Sequence, residues 1–135
     1  MNSIIKDLRT HTYPCSIVIC IGDRVEVRKK LKRIFNMNNG SVLIPDSAHG
    51  YTTVLRSDNG HGDIVVYLSE FNPSSSADIS YWAHECFHAV CDVISIIKAD
   101  VDCYGKNEHE AYLMMYLMVE GHKLAVKLNK TKESR

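Results

Sequence analysis

ADISYWAHECFHAVCDVISII, residues 77–97, is the stretch on which the reading of this chain turns. Ile79, Ala83, Val90, Ile94 and Ile97 recur at helical spacing and predict a long helix with one core-facing stripe. Tyr81, His84, His88, Cys91 and Ser95 form a second stripe on the same helix. Inside it, His84-Glu85-Cys86-Phe87-His88 reads HExxH. Two histidines four apart on a helix point the same way, about one turn from each other. Their ring nitrogens can then hold one zinc ion from one side. The glutamate between them, Glu85, lies beside such a metal and is free to handle a proton. With seven His and seven Glu in the chain, composition alone predicts about 0.02 chance matches to this pattern. The motif therefore carries weight.

Working outward, Asn72-Pro73-Ser74-Ser75-Ser76 is a loop that offers serines as helix caps. Before it, Asp63 to Ser69 and Tyr51 to Arg56 read as strands joined by the turn cluster 57–62, a plausible hairpin. Ser41 to Pro45 is a candidate short strand. Cys15 to Ile21 is an apolar, β-branched run, hence a buried strand. Gly22-Asp23 turns the chain into an amphipathic helix over 23–36, with Val27, Leu31, Ile34 and Phe35 inward. After the long helix comes a loop over 98–106 and a last helix from about Asn107 to Leu128. The polar tail from Asn129 is expected to fray. Strands gathered early and paired helices late predict a single α+β domain over 1–135. Its sheet is expected to be mostly antiparallel, of about three to four strands, packed on the N-terminal helix and the two C-terminal helices.

Sixteen basic and sixteen acidic residues cancel, so nothing global points to nucleic acid or to an anionic membrane. The local excess of Arg24, Arg28, Lys29, Lys30, Lys32 and Arg33 over Glu26 reads as the wet side of a helix. No run of apolar residues approaches the length of a membrane span. Met1 to Thr12 has no apolar signal core. Five cysteines, an odd number without a CxxC pair, argue for free thiols and a reducing, cytoplasmic setting. Met114, Met115 and Met118 read as core residues.

A catalytic zinc needs three protein ligands and an open position for water. Beyond His84 and His88, the last helix offers Glu108, His109 and Glu110. Glu108 shares its face with Tyr112, Met115 and Val119, and Glu110 with Leu113, Met114 and Leu117. Periodicity does not separate them.

HExxH followed twenty positions after His88 by Glu108, in an Asn107-Glu108-x-x-Ala111 setting, resembles the gluzincins, the thermolysin-like metallopeptidases. The arrangement also looks like small zincin-type proteins of phage genomes. The resemblance covers about residues 80–117. It implies a zinc centre of His84, His88 and Glu108, with Glu85 as general base and a peptide or protein as substrate. A phage-encoded relative would act in host cytoplasm or in the virion. The chain departs from the pattern at Tyr112, where the family carries an aspartate that orients a ligand histidine. Tyr112 itself, or Asp92 one turn beyond His88, is the candidate replacement. Tyr104, His109, Tyr112 and His122 are the candidate donors to an oxyanion. The resemblance further implies an extended substrate along a sheet edge, for which 63–69 is the expected strand. Two alternatives stand beside the peptidase: a non-catalytic zinc-binding structural or interaction protein, and a metal-free interaction domain.

Overall fold

The computed structural model describes residues 2–9, 15–36, 44–56, 62–97 and 108–134. Seven elements follow in order: β1 (Ser3–Arg9), β2 (Cys15–Gly22), α1 (Arg24–Ile34), β3 (Gly50–Arg56), β4 (Gly62–Leu68), α2 (Ser76–Ile97) and α3 (Glu108–Glu133). They form an α+β fold with one four-stranded mixed sheet of order β1-β2-β4-β3. β1 pairs antiparallel with β2, β2 parallel with β4, and β3 antiparallel with β4.

The expected hairpin of 51–56 and 63–69 is present as β3 and β4, and the expected buried strand as β2. Other expectations about the strands and the last helix need correction. The sheet has a strand, β1, where none was expected. The strand at 63–69 is not an edge, since β4 lies between β2 and β3. The last helix does not stop at Leu128 but runs to Glu133. Most of the candidate strand 41–45 lies outside the described residues, and Ile44 and Pro45 are not in a strand.

Burial explains why the interior strands are so apolar. β2 and β4 are covered on both faces, and alternate residues enter two separate cores. Val18, Cys20, Val65 and Tyr67 meet Val27 and Leu31 of α1 and Ile44 on one face. Ile17, Ile19, Ile21, Ile64, Val66 and Leu68 meet α2 and α3 on the other. Each such aliphatic side chain taken out of water contributes about 1.5–3 kcal/mol. Gly22, at φ +120°, ends β2 where a Cβ would lie 2.2 Å from the Asn2 carbonyl oxygen, so only glycine fits.

α1 is capped by Asp23, whose carboxylate accepts from the Glu26 N–H at 3.0 Å. Its basic face is only partly wet. Arg28 donates to the Ile44 carbonyl and to Asp46, Lys30 to Ser3, and Arg24 to the Ala48 carbonyl. Half of the cluster thus ties α1 to the neighbouring chain. Ile34, expected inward, is exposed.

The core stripe of α2 is Trp82, Cys86, Ala89, Val90 and Val93, with Ile79, Ile94 and Ile96 at its margins. Of the expected core stripe, only Val90 is buried. α3 packs back along α2. Asn129 Nδ2 donates to the Phe71 carbonyl at 2.9 Å, and Trp82 Nε1 to the Leu117 carbonyl at 3.1 Å. No helix among the described residues is long and apolar enough to cross a membrane.

Candidate functional site

Because Trp82, Cys86, Ala89 and Val93 drive one side of α2 into the sheet, the opposite side faces out. Tyr81, His84, His88, Cys91 and Ser95 all lie on that outer side and are exposed. The second stripe expected from the sequence is therefore real, and it is a surface.

The two histidines converge. Their Nε2 atoms stand 3.1 Å apart, with the rings edge to face at 83° and centroids 4.7 Å apart. Zinc–nitrogen bonds of about 2.0–2.1 Å in a tetrahedral shell place two ligand nitrogens about 3.3 Å apart. The pair thus nearly spans one edge of such a shell, and its donor chemistry fits zinc. Without a metal, one ring N–H shared with the other ring's lone pair accounts for the same approach.

Glu85 turns the other way, between the histidine stripe and the buried stripe. It is 8% exposed. The Thr52 hydroxyl lies 2.5 Å from its Oε2 and 3.1 Å from its main-chain oxygen. Gly50 lies against the same carboxylate, where a Cβ would come within 2.8 Å of Oε1. Both partners belong to β3. The period of two puts Gly50, Thr52 and Val54 on the face of β3 turned towards α2. β3 is also an edge: it pairs with β4 alone among the described residues. The strand next to Glu85 is therefore β3 rather than 63–69.

The carboxylates and tyrosine expected to complete the site are placed differently. Asp92 is half-buried one turn beyond His88. Burial pushes its carboxyl above the ordinary range, and His88 draws it back. Glu108 is exposed, in a row with exposed Tyr112, Met115 and Val119. Glu110 is half-buried, in the row of buried Leu113 and Leu117. Tyr112 is 64% exposed. Among the described residues no three His, Cys, Asp or Glu side chains lie close enough together to hold a metal. The structure thus assembles His84 with His88, and Glu85 with Thr52 and Gly50, but among the described residues it adds no third donor to the histidines. Of the candidate oxyanion donors, His109 and His122 are exposed on α3, and Tyr104 lies outside the described residues.

Three neighbours of the site were not expected: His49, Gly50 and Thr52. The alternation of the strand at 51–56 could have singled out Thr52, the one hydroxyl on the α2 side of β3. His49 carries no motif. It directly precedes Gly50, its Nδ1 is 2.7 Å from Ser69 Oγ, and its ring meets Tyr81 edge to face at 4.9 Å. Comparison of the chain with family models, with curated proteins and with solved structures finds no match.

Proposed function

We propose that this chain is a zinc-dependent metallopeptidase with a zincin-like domain. The observation that carries the reading is the converging Nε2 pair of His84 and His88 on the same helix as a buried Glu85 tied to an open sheet edge. His84 and His88 would hold the zinc, and Glu108, implied by the resemblance, is the proposed third ligand. Zinc, when bound, supplies positive charge that acidifies water and polarises a peptide carbonyl.

The chain's own residues do the rest. Glu85 accepts the proton that the attacking water loses and delivers it to the departing amine as the C–N bond breaks. Thr52 holds Oε2, which leaves Oε1 to carry that proton. β3, which pairs with β4 alone among the described residues, offers its other edge to an extended peptide, which binds as an added strand. Such binding reads backbone first and side chains second.

Protein purified without chelators is expected to hold about one zinc per chain, lost in His84→Ala and in His88→Ala. Elemental analysis finding no zinc in the parent protein sinks the proposal. Glu85→Gln is expected to keep the metal and to lose peptide hydrolysis by about 10²–10⁴-fold. Unchanged turnover in a peptide-library assay excludes Glu85 as the base.

A second reading is a zinc-binding structural or interaction protein without turnover. It is favoured by the exposure of the histidines and by the engagement of the Glu85 carboxylate with Thr52. In that case zinc raises the melting temperature of the parent protein, yet no peptide in the library is cut.

A further inference from the structure

The outer face of α3 is apolar where it meets water. Tyr112, Met115, Tyr116 and Val119 follow at helical spacing and are each 44–64% exposed. The elements on which α3 packs, α2, β1 and β2, take its other side, through Leu113, Leu117 and Leu124. Apolar side chains scattered singly over a surface are ordinary, whereas a contiguous row of four large ones marks a docking surface. The same helix is charged at its two ends. Glu108 and Glu110 stand in its first turn, and Lys130 and Lys132 in its last. Glu108 lies eleven residues before Val119, and Lys130 eleven after it. Eleven residues make about three turns, so both charges share the face of Val119. Both side chains are exposed.

We propose that this face binds its counterpart on a second copy of the chain, α3 against α3 in antiparallel, about a two-fold axis at Val119. The charges select that occupant and that direction. Run in reverse against itself, the face sets Glu108 against Lys130 of the second copy at both ends. Run parallel, it sets acid against acid and base against base. Residues equally far from Val119 then meet: Tyr112 packs on Val126 of the second copy, and Met115 under the aliphatic stem of its Lys123. Each contact occurs twice, as a two-fold interface requires. The apolar row supplies the affinity. The exposed ion pairs fix direction more than strength. Lys130 needs only one of the two Glu108 oxygens, so the pairing leaves the other for the proposed zinc. The inference does not rest on the peptidase reading.

The test is the mass of the full chain by sedimentation velocity over a concentration series, with circular dichroism to follow the fold. The parent protein is expected to reach twice the chain mass. Val119→Glu, which puts two like charges at the axis, is expected to stay monomeric and to keep parental helicity. Glu108→Lys and Lys130→Glu are each expected to dimerise about tenfold more weakly at low salt, because each sets like charges together at both ends. Mixed in equal amounts, these two variants are expected to recover the parental affinity as a heterodimer, since every pair is then opposite in sign. A parent that stays monomeric, even one that binds phospholipid vesicles through the same row, overturns the proposal. A dimer that survives Val119→Glu puts the contact elsewhere and overturns it too. A dimer indifferent to both charge variants, or one not recovered on mixing them, overturns the antiparallel pairing.

Discussion

The carboxylate of Glu85 shows how one residue's surroundings constrain two others. Thr52 supplies the only hydroxyl within hydrogen-bonding distance of it among the described contacts, and Gly50 supplies space. Thr52→Val removes the donor while keeping the shape, leaving a buried acceptor with its partner gone. The expected cost is about 1–3 kcal/mol in urea denaturation. Hydrolysis is expected to fall with it while zinc binding is unchanged. Gly50→Ala forces a Cβ to 2.8 Å from Oε1, so Glu85 must move. Overpacking of this kind costs about 1–3 kcal/mol. Its signature is that Gly50→Ala and Glu85→Gln fail to add, because both act on one carboxylate. A Gly50→Ala variant with parental stability and turnover would show that the approach is slack. At this scale the sequence was informative where chemistry is written into spacing, as with His84, Glu85 and His88. It was silent where a role comes from distance across the fold. Thr52 lies thirty-three positions from Glu85, and His49 twenty from Ser69.

The helices differ in how readily their faces could be read. α1 has few apolar residues, so Val27 and Leu31 identify its inner side with little competition. α2 is apolar around most of its circumference, and two stripes competed for the core. The stripe with Trp82 won, because the indole fills the space over Gly121 and its N–H reaches the Leu117 carbonyl. α3 was harder still. Tyr112, Met115, Tyr116 and Val119 make an apolar outer row opposite the buried Leu113, Leu117 and Leu124. Its methionines divide accordingly: Met114 and Met118 pack against the core, and Met115 is exposed. Gly121→Ala tests the α2–α3 contact. In an exposed helix interior this change stabilises by about 1 kcal/mol. Here the new Cβ would fall within 2.4 Å of three indole atoms of Trp82, so the sign is expected to reverse. The expected loss is about 1–3 kcal/mol or more, seen as a lower melting temperature and a changed tryptophan emission. A more stable Gly121→Ala variant would mean that the two helices part easily.

At the scale of the whole molecule, the α+β class and the β3–β4 hairpin were legible, because they rest on local pattern. The parallel β2–β4 pairing was not, since β3 passes to the edge and β4 returns into the gap it leaves. β1 was missed because Lys6 and Asp7 interrupt its apolar run. Lys6 faces the α2–α3 side and is answered by Glu120, 2.6 Å away and 114 positions on in the chain. That ion pair ties the outer strand to the last helix. The hydrogen bond from Lys6 holds the Glu120 carboxyl below its ordinary 4.5 against the opposing effect of burial, with Lys123 adding to it. The same bond raises Lys6 above 10.5. The carboxylate's contribution is therefore complete above 4.5 and lost as pH falls through its lowered value. The ammonium's contribution is complete below 10.5 and lost as pH rises through its raised value. Urea midpoints are expected to hold level near neutrality and to decline into acid. Glu120→Gln is expected to flatten the part of that decline below pH 4.5. An identical acid limb in the variant would assign the decline to other carboxylates.

If the proposed peptidase reading holds, the side of β3 left unpaired among the described residues bears on the order of events. Glu85 is already withdrawn from water and tied to that strand through Thr52. A peptide laid along β3 would align its own backbone beside that carboxylate. On the proposed peptidase reading the base is thus dry before substrate arrives, and the peptide brings only its own backbone to a carboxylate already in place.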